Sequence, residues 1–337
     1  MEVLVTGGMG YIGSHTVVEL INEGYTPIIV DNLSNSNVEV LNRIQKITGV
    51  KPTFYELDVR NSEKLEQVFA NHKIEVVIHF AGLKAVGESV EKPLEYYDNN
   101  INSTLVLTRL MLKYNVRNII FSSSATVYGE PDRVPLYESD PVKHASSPYG
   151  ETKIINEQLL KSLCEIHKDF NVALLRYFNP VGAHESGLIG EDPKDIPNNL
   201  MPYITQVAVG VRPILHIFGD DYPTRDGSWI RDYIHVVDLA KGHVKAIEKL
   251  IQNPGLVIYN LGTGKGTSVF EIVHAFEDAN NLKINYDVVG RRAGDVPENF
   301  ANADKAEKEL GWKATRTIFD CCKDAWNWQK NNPNGYR

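Results

Sequence analysis

What this chain lacks narrows it first. Its three cysteines, Cys164, Cys321 and Cys322, are too few for a disulfide framework and have no metal-ligand spacing. The last two are adjacent inside a helical pattern. No metal site is expected, and a reducing compartment fits best. No apolar run approaches the length of a membrane span, and the chain enters a strand by Glu2 without a charged and then apolar leader. The expectation is a cytoplasmic protein that keeps off membranes. An excess of basic charge is also missing: 35 Lys and Arg against 43 Asp and Glu leave a net charge of -8, which argues against a nucleic-acid partner. Asn32 and Asn102 head glycosylation-type triplets, which without export are chance matches.

What is present suffices for two domains, or for one large domain with a lobe: 337 residues, 42% hydrophobic and 23% charged. Residues 2–6 form a short β-rich run, followed by Gly7, Gly10 and Gly13 and then by Val17, Val18, Leu20 and Ile21 at helical spacing. Strand, glycine turn and helix stand in the order a dinucleotide site requires, the glycines letting a pyrophosphate approach the helix N-terminus. A second strand, 27–30, ends in Asp31, near the distance at which a carboxylate bonds the adenosine ribose. That carboxylate would repel a 2'-phosphate, and no Arg or Lys lies between it and Arg43, so NAD is preferred over NADP.

The alternation continues with a helix over 37–47, a strand over 53–57 ending at Asp58, a helix over 62–71, a strand over 76–80, a long helix over 96–113 and a strand over 118–121. Repeated strand-helix units predict an α/β fold, a Rossmann-type doubly wound parallel sheet with ligands at the carboxyl ends of its strands. Asp58 and Ala81-Gly82-Leu83-Lys84 fall at such ends. Asn99 faces the cofactor or caps a kink; spacing does not decide.

The third strand-end signal is Ser122-Ser123-Ser124, a hydroxyl row that is ordinarily turn and capping chemistry. Ser124 stands out because Tyr149-x-x-x-Lys153 follows it, opening a run in which Ile155, Leu159, Leu160, Leu163 and Ile166 recur at helical spacing. Four apart on a helix, Tyr149 and Lys153 share a face. A phenol titrates near 10, so a tyrosine base at neutral pH needs its anion favoured by roughly 3 units, about 4 kcal/mol. A fixed ammonium supplies part of that charge, and an adjacent cationic ring would supply more.

After residue 179 the pattern becomes rich in Gly, Pro and Asp, with helices expected at 198–209, 237–250 and 269–280 and a strand at 257–261. Gly262-Thr263-Gly264-Lys265-Gly266 superficially resembles a phosphate loop, but Gly266 stands where such a loop needs Ser or Thr, so it reads as a turn.

Taken together, the glycine loop, Asp31, Asp58, Ser124 and the Tyr149/Lys153 pair resemble the extended short-chain dehydrogenase/reductase superfamily. Three longer segments resemble the UDP-glucose 4-epimerase family within it: HFAGLKAVGES at 79–89, RYFNPVGA at 176–183 and RDYIHV at 231–236. The likeness runs from Met1 to about Trp328. Related dehydratases carry an Asp-Glu pair after the active serine or threonine; this chain has Ala125-Thr126 there.

The resemblance implies an NAD-binding domain over 1–179, rejoined by about 235–262, and a smaller mixed α/β UDP-sugar lobe over 180–337. It implies interconversion of UDP-galactose and UDP-glucose, in galactose metabolism, through a 4-keto sugar and tightly held NAD. The implied catalytic residues are Ser124, Tyr149 and Lys153. Cofactor contacts would come from Gly7, Gly10, Tyr11, Ile12, Gly13, Asp31, Asn32, Asp58, Val59, Phe80, Ala81, Gly82, Lys84, Asn99 and Phe178 together with that trio. On the substrate, Arg231 and Arg292 would meet the diphosphate, Asn179 and Asn199 phosphate or sugar, Leu200, His216 and Phe218 uridine, and Asp295 ribose. Asn299 stands where a tyrosine restricts the sugar pocket in some members and smaller residues admit 2-acetamido sugars, so turnover of UDP-GlcNAc is expected as well. A homodimer through the helices near 96–113 and 149–170 is implied. Two rival readings are a net NAD-linked sugar-nucleotide dehydrogenase, which would accumulate NADH, and a non-catalytic NAD-sensing scaffold, which would be free to lose Tyr149, Lys153 or Ser124.

Overall fold

Val3 and Val5 point to one side of the first strand and Leu4 to the other, and all three are fully buried. A strand apolar on both faces belongs inside a sheet covered by helices on both sides. The structure is a computed structural model that describes residues 1–194, 197–291 and 296–337. Its main sheet holds β1 (Glu2–Thr6), β2 (Thr26–Asp31), β3 (Thr53–Glu56), β4 (Ile74–His79), β5 (Asn118–Ser124), β6 (Asn171–Tyr177) and β11 (Leu256–Leu261), in the order β11-β6-β5-β4-β1-β2-β3. Every neighbouring pair is parallel. Strand order reverses between β1 and β4, and the crevice beyond that point is where such sheets bind ligands. The Rossmann-type expectation is met.

On one face, α1 (Tyr11–Asn22), α2 (Glu39–Thr48) and α8 (Val236–Leu250) bury Val17, Leu20, Ile44, Leu239 and Ile247 against Val3, Val5 and Ile78. On the other, α3 (Ser62–Asn71), α5 (Pro93–Lys113) and α6 (Pro148–Ile166) bury Leu65, Leu107, Met111 and Leu160 against Leu4, Ile28 and Val77. The short α4 (Val86–Glu91) and the early start of α5 at Pro93 depart from the sequence reading, as does β5, which runs on through Ser124. β6 departs from the sequence reading as well: its apolar run 172–175 follows on the helical pattern ending at Phe170, with no glycine or proline break to mark a strand.

The rest of the chain builds no large sheet. β7 (Asn179–Val181) pairs with β10 (Tyr233–His235), β8 (Leu215–Phe218) with β13 (Tyr286–Val289), and β9 (Ile230–Arg231) with both β12 (Thr267–Ser268) and β14 (Glu298–Asn299). Their core is separate: Ile204 of α7 (Leu200–Ala208), Ile272 and Phe276 of α9 (Val269–Asn280), and Cys321, Cys322 and Ala325 of α11 (Ile318–Asn331) close on Ile217 and Tyr233. Between them, α10 (Asp304–Leu310) returns Ala306 and Leu310 to the first core. Among the described residues, no helix is long and apolar enough to cross a membrane, and no cluster of His, Cys, Asp or Glu could hold a metal ion.

Candidate active site

The glycine loop is fixed by contact rather than by sequence pattern alone. A side chain at Gly13 would stand 2.2 Å from the Gly7 carbonyl oxygen, and Gly7 itself has a φ of +72°. Helix α1 therefore abuts the end of β1 as only glycine allows. Gly10, at its N-cap, has no side chain to close the terminus, which leaves a positive helix end suited to a pyrophosphate. Asp31 ends β2 beside this loop, its Oδ2 accepting from Met9 N at 3.1 Å and its Oδ1 from Leu33 N and Ser36 Oγ, each at 2.9 Å. Asn32 Nδ2 reaches the Asp58 carboxylate at 3.4 Å. Hydrogen bonds from Arg60 hold the Asp58 carboxyl below its usual range. Phe80, Ala81, Gly82 and Lys84 follow β4, with the amides of Phe80 and Ala81 donating to Thr6 O at 3.0 and 3.1 Å. Gly7, Asp31, Asn32, Phe80 and Ala81 thus gather at the carboxyl ends of adjacent parallel strands, with Tyr11 and Ile12 opening α1 beside them. An open helix end, a neighbouring carboxylate and a glycine-only approach fit a dinucleotide.

Two strands over, β5 ends in Ser124, whose Oγ accepts from Thr126 N at 3.2 Å. Helix α6 begins at Pro148 with Ser147 as its cap, the Oγ accepting from Gly150 N at 3.2 Å. This sets Tyr149 in the first turn and Lys153 one turn later. Lys153 Nζ donates to Ser122 O at 2.6 Å and lies 5.7 Å from the Tyr149 ring centre. Burial pushes the Tyr149 phenol up to about 12, while a hydrogen bond with Ser124 pulls it down. Burial also brings the Lys153 ammonium down to about 8, with Glu157 opposing. Desolvation thus opposes the anion that a tyrosine base requires, so further positive charge beside the phenol is needed. Tyr177, on β6, is deeply buried and its hydroxyl is bonded to His243 Nε2.

On the sugar side, short strands bring distant segments together. Asn179 N donates to Asp232 O at 2.9 Å, and Arg231 is in register with Asn299. The Arg231 guanidinium stacks 4.6 Å from the Trp229 ring centre, and its NH1 donates to the Ile230 and Val296 carbonyls at 2.8 Å. His216 and Phe218 occupy the exposed face of β8 while Leu215 and Ile217 turn inward; His216 Nδ1 is bonded to Asp287 Oδ1 at 2.6 Å. Leu200 packs towards the lobe core. Arg292 and Asp295 lie outside the described residues.

Three supporting residues escaped the sequence reading. Asn100, rather than Asn99, holds the 81–84 loop: it accepts from Leu83 N at 2.8 Å and donates to Leu83 O at 3.0 Å, with Thr152 Oγ1 a further partner. Asn99 Nδ2 donates to Asn100 Oδ1 at 3.0 Å. Glu157 is clamped by Arg176 at 2.9 and 2.7 Å and accepts from Ser123 Oγ at 2.7 Å, tying α6 to β5 and β6. Its signal was available, since 149, 153 and 157 share one helix face. Asp232 is fully buried and accepts from Thr263 N and Oγ1, Gly264 N and Ala301 N. The 262–266 segment is thus a turn hung on Asp232.

A family model described as GDP-mannose 4,6 dehydratase matches residues 4–325, which sets the class. Within that class, full-length relatives named UDP-glucose 4-epimerase are more than half identical to this chain. The UDP-glucose 4-epimerase of Dictyostelium discoideum is 58% identical over 99% of this chain and 97% of its own length, and that of Bacillus subtilis (strain 168) is 56% identical over 100% and 99%. The crystal structure of UDP-glucose 4-epimerase from Bifidobacterium longum in complex with NAD+ and UDP matches with a TM-score of 0.96 at 55% identity, covering 99% of this chain and 100% of that one. The chain belongs to the UDP-glucose 4-epimerase family.

Proposed function

We propose that this enzyme interconverts UDP-glucose and UDP-galactose by inverting the sugar at C4. The observation that carries the reading is the convergence of Ser124, Tyr149 and Lys153 beside a crevice built for a dinucleotide. Gly7, Gly10, Tyr11, Ile12, Gly13, Asp31, Asn32, Asp58, Val59, Phe80, Ala81, Gly82, Lys84, Asn99 and Phe178 would hold NAD, with the bare N-terminus of α1 facing the pyrophosphate. When bound, NAD would supply a hydride store, accepting hydrogen from sugar C4 and restoring it on the opposite face, and a positive ring charge. Tyr149 takes the proton of the sugar 4-hydroxyl, directly or through Ser124, and returns it after the 4-keto sugar has turned over. Lys153 stabilises negative charge at the phenol and orients the cofactor's ribose. Arg231 and Arg292 clamp the diphosphate so that the keto sugar turns without leaving. Asn179 and Asn199 bond phosphate or sugar, while Leu200, His216 and Phe218 line the uridine and Asp295 its ribose. Ala125-Thr126 after Ser124 provides no additional acid or base, which favours chemistry that one proton-transfer pair completes.

The division of labour follows: 1–179 with 235–262 binds NAD, and the remaining lobe binds the UDP-sugar. The chain would act in cytoplasmic galactose metabolism, as a homodimer through α5 and α6. Asn299, half-buried and in register with Arg231, is smaller than tyrosine, and UDP-GlcNAc is accordingly a second substrate. The test is an NMR time course of UDP-galactose with purified protein and no added cofactor. UDP-glucose should appear while absorbance at the nicotinamide band stays constant. Steady NADH accumulation, or wash-out of a deuterium label from C4 into solvent, would overturn the reading.

A further inference from the structure

Glu191 belongs to none of the motifs above, yet its carboxylate stands between the two groups of proposed ligand contacts. Oε1 accepts from Lys84 Nζ at 3.2 Å and from Asn199 Nδ2 at 2.7 Å. Lys84 follows β4 on the cofactor side, whereas Asn199 precedes α7 on the sugar-nucleotide side. The Glu191 side chain is only 12% exposed. It is also close to the first turn of α1: after burial, its charge is the largest cause that raises the Tyr11 phenol.

The backbone that presents this carboxylate has little freedom. Glu191 O accepts from Trp328 Nε1 at 3.2 Å. On one side, Gly190 N donates to the Tyr336 hydroxyl at 3.1 Å, and that hydroxyl donates to Gly190 O at 3.2 Å. On the other, Asp192 Oδ2 accepts from Tyr336 N at 3.0 Å. A side chain at Gly190 would run to 2.3 Å from the Trp328 ring. The C-terminal segment is a bracket, and it delivers one fixed oxygen to two donors.

We propose that Glu191 is a positioning residue that couples the two ligand sites, orienting Lys84 for the cofactor and Asn199 for the sugar nucleotide from a single carboxylate oxygen. This rests on the roles proposed above for Lys84 and Asn199. Each donor keeps further N–H groups for its ligand, since an ammonium has three and an amide two. A ligand that draws one donor changes the hydrogen bond available to the other, so coupling runs equally in both directions.

The experiment uses the full-length holoenzyme and follows bound nicotinamide per chain, KM for UDP-galactose and kcat. Lys84→Met should loosen NAD alone, and Asn199→Ala should raise KM alone. Glu191→Ala should weaken both, by about three- to ten-fold each, the scale of an ordinary hydrogen bond, since each donor stays in place and loses only its orientation, with kcat little changed. Saturating UDP should slow the loss of NAD from the unaltered protein, and this slowing should disappear in Glu191→Gln, a variant of nearly equal shape. If Lys84→Met and Asn199→Ala move their own ligands but UDP slows NAD loss equally in Glu191→Gln, the coupling proposal is overturned. If those two single variants leave their own ligands unmoved, the site assignment beneath it fails instead. Should Glu191→Ala fail to fold, Glu191→Gln alone decides the question.

Discussion

The two halves of this molecule hold their functional residues by different means. In the first 178 residues most lie at the ends of strands of one parallel sheet, or, like Tyr149 and Lys153, on a helix packed against it, so a glycine, an aspartate and a serine separated by dozens of residues arrive on one rim. Beyond that point, strands two to four residues long carry Asn179, His216, Phe218, Arg231 and Asn299, and single polar groups such as Asp232 set their spacing. On the roles proposed above, the difference would separate chemistry from grip. Alterations at the sheet rim should act on the reacting step, and alterations among the short strands on substrate affinity.

The largest effect expected is on the sheet side. Tyr149→Phe should lower kcat by about 10³-fold or more, the scale of losing a positioned proton-transfer group, with NAD still bound; near-normal turnover would remove Tyr149 from its role. Next comes the strut beneath it. Glu157→Ala leaves Arg176 buried without its partner and should cost about 3–5 kcal/mol in urea unfolding. A loss below about 1 kcal/mol would mean that α6 is held by other means.

Lys153 gives a pH test with a definite sign. Its ammonium titrates at about 8 in the folded protein against an ordinary 10.5, so between those values the unfolded chain binds more protons. Stability contributed by this residue therefore rises with pH across that window, by up to about 3 kcal/mol. Unfolding free energies of wild type and Lys153→Met, measured from pH 7 to 10.5, should diverge in that direction; parallel curves would contradict the depressed value.

Among the short strands, Arg231→Ala should raise KM for UDP-galactose by about 10- to 100-fold, as for a lost charge-assisted bond, leaving NAD content unchanged. A fall in kcat without a change in KM would erase the contrast between the halves. The smallest effect concerns sugar choice. UDP-GlcNAc should turn over, if more slowly than UDP-galactose; no turnover, with activity appearing in Asn299→Gly, would mean that the pocket is closed as built.

These two modes of placement also explain what could be read from the amino acids alone. The glycine loop, Asp31 and the Tyr149/Lys153 pair were legible because helix and strand periods put them on known faces, and the parallel, doubly wound sheet followed from alternating units. β6, buried on both faces like β1, was hidden because no glycine or proline separates it from the helical pattern before it. The partners of Glu157, Asp232 and Glu191 are long-range: Arg176, Ala301 and Lys84 lie 19, 69 and 107 residues away, and no local pattern encodes such distances. At Tyr149, proximity to Lys153 is inferred from spacing, whereas the burial that raises the phenol is not.

The anchoring of Asp232 has a practical outcome for redesign. Four donors from two separate loops converge on that carboxylate, next in sequence to Arg231 and one hydrogen bond from the backbone of residue 299, whose carbonyl accepts from Asp232 N at 3.2 Å. The main chain at 299 is thereby locked independently of the side chain it bears. If residue 299 sets sugar choice as proposed, library screening can vary that side chain alone while the frame stays constant.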